Sequence, residues 1–151
     1  MHVLIASDGS RSSVATAADA IAFLAPPDRV TLLTVLHNLP VEDYDEFDEP
    51  LQAPDTQSQT WDNAIREANR ELERAAASVA AAHVDQRVEA GDVAPTICNV
   101  AREIAADVIV IGPHMRGRFR RRFLTSVAER VVRDAPCAVL VAKENRDEHG
   151  T

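Results

Sequence analysis

The chain has 151 residues, 16 basic and 24 acidic side chains, a net charge of −8 and 46% hydrophobic residues. That length fits one domain with a full core, and the apolar fraction excludes a disordered chain. The acidic balance argues against nucleic-acid binding, and no apolar run approaches the ~20 residues that span a bilayer. The opening His2-Val3-Leu4-Ile5 follows no basic stretch, so no signal peptide is expected and a cytoplasmic location is. Cys98 and Cys137 form no CxxC pair and read as small buried apolar residues in a reducing compartment.

Val3 to Ser7 is an unbroken apolar run, the pattern of a strand covered on both faces, and Asp8-Gly9-Ser10 ends it. Ser10, Ser12 and Ser13 offer caps for a helix whose stripe is Val14, Ala17, Ala18, Ile21 and Leu24, stopped by Pro26-Pro27. Val30 to Leu36 is a second β-branched strand. A connection over about 37–58 follows, with three prolines and six acids between Glu42 and Glu49, and reads as a solvated acidic insertion. Trp61, Ile65, Ala68, Leu72, Ala75, Val79 and Ala82 keep helical spacing over roughly Gln59 to His83, where Arg70 can meet Glu67.

Val84 to Glu89 alternates and is expected near a sheet edge. After Gly91-Asp92, Pro95 suits an early helix turn, and Ile97, Val100, Ala101, Ile104 and Ala105 form its apolar face, with Cys98 beside it. Val108 to Ile111 is the most strand-like run. Thr125 to Arg133 is the last helix, with Val127, Ala128, Val131 and Val132 facing in, and Cys137 to Ala142 is the final strand. The alternation implies a single α/β domain over residues 1–142, a parallel sheet with helices on both faces, and a polar tail at 143–151. Such sheets bind ligands beyond the carboxyl ends of their strands, here at Ala6 to Ser10, Val35 to Asn38 and Gly112 to Ser126.

The five glycines build neither GxGxxG nor GxxxxGK[ST], no GxSxG is present, and the five histidines lack metal-ligand spacing. One segment stands out. From Gly112 the chain runs through five arginines between Arg116 and Arg122 to Thr125 and Ser126 at an expected helix start. A helix N-terminus with hydroxyls and nearby arginines suits phosphate, and the same groups equally make an ordinary cap beside a solvated surface.

The opening strand with Ser7-Asp8-Gly9-Ser10, the strand VTLLTVLH, Val88-Glu89-Ala90-Gly91-Asp92, and the stretches Ala106 to Gly112, Ser126 to Val131 and Ala135 to Val141 together resemble the universal stress protein family. The resemblance covers about residues 1–142. It implies a five-stranded, flavodoxin-like, Rossmann-type α/β fold and a homodimer paired through the last strand, Cys137 to Ala142. ATP-binding members carry G-x2-G-x9-G-[ST]. This chain has Gly112 and Ser126 at the ends of that motif but Met115 and Thr125 where two glycines stand, which adds bulk and resists positive φ.

By the same resemblance, Ala6 lies beside the base, Asp8 accepts from ribose or adenine, Val35 offers backbone groups to the adenine edge, and Ser126 and Val127 give N–H groups to phosphate. Met115, Arg116 and Thr125 complete the phosphate end, and Mg²⁺ enters only with the nucleotide. From turn chemistry alone, Asp8 reads as a turn-stabilising residue, since Asp-Gly is a common turn pair. No residue is an obvious general base, so a binding module is expected rather than an enzyme, with slow ATP hydrolysis at most. The competing reading is a nucleotide-independent interaction module, in which the acidic stretch and the arginine cluster dock protein partners. Nucleic acid is the weakest partner class, because the cluster is local and the chain acidic.

Overall fold

A computed structural model describes residues 1–9, 11–22, 24–37, 54–112 and 122–143, the side chains of 54–58 and 122–126 excepted. The strands are β1 (His2–Ala6), β2 (Arg29–Leu36), β3 (His83–Ala90), β4 (Val108–Ile111) and β5 (Ala138–Val141). The helices are α1 (Arg11–Ile21), α2 (Pro54–Ala76), α3 (Val93–Glu103) and α4 (Arg122–Asp134). All strand pairs are parallel, in the order β3-β2-β1-β4-β5. The chain therefore winds outward from β1 in one direction and, after β3, crosses to β4 in the other. The strand order reverses between β1 and β4, and a crevice opens there beyond the strand tips.

The period-2 geometry of the strands splits the core in two. Leu4, Ala6, Leu33, Ile109 and Ile111 point to one side, where Ala94, Ile97, Ala101 and Val131 of α3 and α4 cover them. Val3, Ile5, Val30, Leu32 and Val110 point to the other, against Val14, Ala17 and Ile21 of α1 and Leu72 and Ala75 of α2. Each fully buried Leu or Ile contributes roughly 1.5–3 kcal/mol relative to exposure, so both layers are needed to hold the sheet. Cys98 and Cys137 are free thiols that pack in or against the α3/α4 layer. Burial, the largest cause, pushes both thiols up from their ordinary range.

Several helix bounds differ from the sequence expectation. Helix α1 stops at Ile21, where Ala22 donates to both Ala18 and Asp19 and Leu24 to Ile21, so Leu24 leaves the stripe and is 37% exposed. Helix α2 starts five residues earlier than expected, since a proline fits its first position, and ends at Ala76. There Ser78 bonds the Ala75 carbonyl through both N–H and hydroxyl, leaving Ala82 outside the helix. Helix α3 ends at Glu103, and two residues on Ala105, with a φ of 51°, closes the end, as Ala106 donates back to Ala101 and Ala105 to Arg102, so Ile104 and Ala105 lie past the helix. Helix α4 begins at Arg122 rather than Thr125, and Val132 faces solvent at 59% exposure instead of the core. The acidic stretch Glu42 to Glu49 lies outside the described residues.

Candidate functional site

A groove of about 320 Å³, counting space open to solvent, lies at the reversal of strand order. Ala6 and Ser7 come from the end of β1, Leu33 and Val35 from β2, Ile111 and Gly112 from the end of β4, and Val93 and Ile97 from α3. Ser7 has the one polar side chain among these eight residues, and its hydroxyl accepts from the Gly9 N–H at 3.1 Å. The lining therefore suits a flat apolar group held by backbone atoms.

The backbone at Val35 supplies those atoms. The Leu33 carbonyl accepts from the Ser7 N–H at 3.0 Å and so points toward β1, and the Leu36 carbonyl accepts from the Gly91 N–H at 3.1 Å and so points toward β3. Alternation along the strand turns both the N–H and the C=O of Val35 to the β1 side. The β1 pairing ends one step earlier, at Ala6 opposite Leu33. Among the described residues, no backbone group on that side bonds Val35. An adjacent donor and acceptor thus face the groove.

The floor is closely packed. A Cβ built on Gly112 would lie 2.3 Å from the Ser13 hydroxyl and 3.3 Å from the Ser7 Cβ. Glycine is required here for space, because only a bare Cα lets α1 pack against the β4 tip. Gly9 is required for conformation, with a φ of 83° in the turn after Asp8. At the rim, His37 Nδ1 lies 3.2 Å from the Gly91 carbonyl, and Arg130 of α4 pairs with Asp92, the N-cap of α3, at 3.1 Å.

Of the residues singled out in the sequence, Ala6, Val35 and Gly112 come together in the lining. Asp8 sits half-buried two residues beyond Ala6, outside the lining. Thr125, Ser126 and Val127 all fall inside α4 rather than at its cap, because the helix begins at Arg122. Val127 packs against the same core layer as Val35 and Val93. Met115 and Arg116 lie outside the described residues. Sequence reasoning missed the α3 wall, Val93 and Ile97. The helical spacing of Ile97 signalled burial, but which strand tips α3 would cover depends on the crossover after β3. Among the described residues, no group of three or more His, Cys, Asp or Glu side chains could hold a metal ion, and no helix is long and apolar enough to cross a membrane.

Comparison with known proteins fits this architecture. The model of the universal stress protein family matches residues 1–143. A universal stress protein A-like protein of Arabidopsis thaliana is 33% identical over 61 residues, a stretch amounting to 40% of this chain and 35% of that protein. The crystal structure of a universal stress protein family member from Burkholderia pseudomallei is 30% identical, with a TM-score of 0.61 over 95% of this chain and 96% of that one. A family member from Arabidopsis thaliana, solved with AMP bound, shares the fold with a TM-score of 0.55 at 18% identity, over 100% of this chain and 97% of that one. The chain belongs to the universal stress protein family.

Proposed function

We propose that this universal stress protein is a module that binds ATP or a related adenine nucleotide over its strand tips. The carrying observation is the apolar groove into which Val35 turns a backbone donor and acceptor. An adenine edge offers the complement, an amino donor beside a ring acceptor, and its faces suit the aliphatic walls. In this reading Ala6 lies against the base and Asp8 accepts from the ribose hydroxyls. Gly112, Met115, Arg116, Thr125, Ser126 and Val127 border the phosphates, with Mg²⁺ entering on the nucleotide. The relative solved with AMP supports an adenine ligand for this fold.

The same reading has the protein act as a homodimer joined through β5. That strand lies at the sheet edge, is four residues long and uncharged, and leaves Val141 39% exposed. Nucleotide would then bias the surface of a dimer rather than undergo rapid chemistry.

The test is to purify the protein without added nucleotide, denature it, quantify released adenine nucleotides, and titrate ATP–Mg²⁺ by calorimetry. Stoichiometric release or saturable binding is expected. Neither release nor binding at millimolar ATP would overturn the reading in favour of a nucleotide-independent interaction module.

A further inference from the structure

The ion pair at the rim of the groove has an unusual partner. Asp92 is the N-cap of α3, the position where a carboxylate normally accepts from the first free N–H groups of the helix. Here it makes no such bond, and its Oδ2 instead lies 3.1 Å from the Arg130 guanidinium. The cap it leaves is available in part, because Pro95 at the third helical position has no N–H while Ala94 at the second does. The carboxylate therefore has two alternative partners, the end of α3 and Arg130.

Arg130 bonds Asp92, the chain neighbour of the groove-lining Val93. Long side chains on a helix lean back toward its N-terminus, so Arg130 leans toward the turn that carries Ser126 and Val127. Val127, one turn earlier, packs on the same layer as Val35 and Val93 of the groove. Both ends of the ion pair are partly solvent-accessible, at 43% and 54% side-chain exposure, so either can exchange partners without rearranging the core.

We propose that Arg130 is the cation that receives the phosphates of the groove's ligand, and that Asp92 is its exchangeable counter-ion, swinging to cap α3 when the phosphates arrive. The inference rests on the nucleotide reading. It supplies charge at the phosphate end of a site whose loop has Met115 and Thr125 in place of two glycines. The cost of removing Asp92 from Arg130 is offset by the cap it gains.

The two partners of one ion pair then act in opposite directions. ATP–Mg²⁺ and adenosine are titrated by calorimetry into the wild type, Asp92→Asn and Arg130→Gln, at one ionic strength. Asp92→Asn frees Arg130 and keeps a good cap residue, so ATP tightens, while Arg130→Gln weakens ATP, each by about three- to tenfold. Adenosine is unchanged in both. The proposal is overturned when both variants shift ATP in the same direction, when neither shifts it, or when adenosine binds and ATP does not. In the first two cases saturable ATP binding by the wild type leaves the nucleotide reading standing, whereas adenosine binding without ATP overturns both. Failure of both ligands to bind the wild type overturns the two together.

Discussion

The two edges of the sheet follow opposite rules. β3 is eight residues long and carries Asp85, Arg87 and Glu89, whereas β5 is four residues long and carries no charge. On β3, Asp85 meets Arg29 at 3.3 Å, and Arg87 reaches Glu89 at 2.6 Å and Glu103 of α3 at 3.1 Å. Those carboxylates, through their hydrogen bonds first, hold the Arg87 guanidinium above its ordinary range. A strand approaching β3 would have to strip water from these charges, while one approaching β5 meets Ala138, Val139, Leu140 and Val141. The same chain thus closes one edge with charge and leaves the other short and uncharged, the edge through which the proposed dimer would pair.

The strongest way to break this contrast is to charge the apolar edge. Val141→Lys keeps the fold, since the side chain is already 39% exposed. It should weaken the proposed dimer by roughly a hundredfold or more, read by sedimentation across a dilution series, because the lysine would be desolvated between two copies. A dimer that persists unchanged would remove β5 from the interface.

Uncharging the other edge has a smaller effect of a different kind. Arg87→Met leaves Glu89 and Glu103 facing each other without their cation, and should cost about 1–2 kcal/mol in urea unfolding. Self-association is the accompanying readout, because the edge loses part of its barrier. Glu103→Gln tests the outer half of the network alone. Its side chain is 65% exposed, so the loss should stay within ~0.5 kcal/mol and vanish in high salt.

The smallest effect belongs to the thiols on the apolar side. Burial raises both Cys98 and Cys137, so the folded chain keeps protons that the unfolded chain loses near pH ~9. The unfolded state then binds fewer protons, and stability falls as pH rises through that range. Replacing both cysteines with alanine should flatten this slope in denaturation measured from pH 7 to 10, whatever it does to stability at neutral pH.

Much of this was legible in the residues. The β-branched runs at Val30 to Leu36 and Val108 to Ile111 announced strands, and the alternation of Val84 to Glu89 announced an edge. The groove was expected at the ends of β1, β2 and β4, because parallel sheets leave a crevice where their order reverses. What was not legible depends on contacts between distant segments. Val132 shares the apolar character of Val131, yet one packs and the other faces water, since α4 covers only one side of the sheet. The divergence of Asp92 from its cap to Arg130, 38 residues away, is invisible to a local reading of a helix start.

The crowding at Gly112 also governs time. Its N–H donates to the Ala6 carbonyl at 2.9 Å, the next strand over donates from Ala142 to Ile111 at 2.9 Å, and Ser13 closes over its Cα. The floor of the groove is thereby wired into the central strands and opens only when they do, so its amide should be among the slowest to exchange with deuterium. The proposed nucleotide would not wait for the floor to assemble. Its arrival rate is set by diffusion and by the charges at the rim, and differences in affinity will be written mainly in how long it stays.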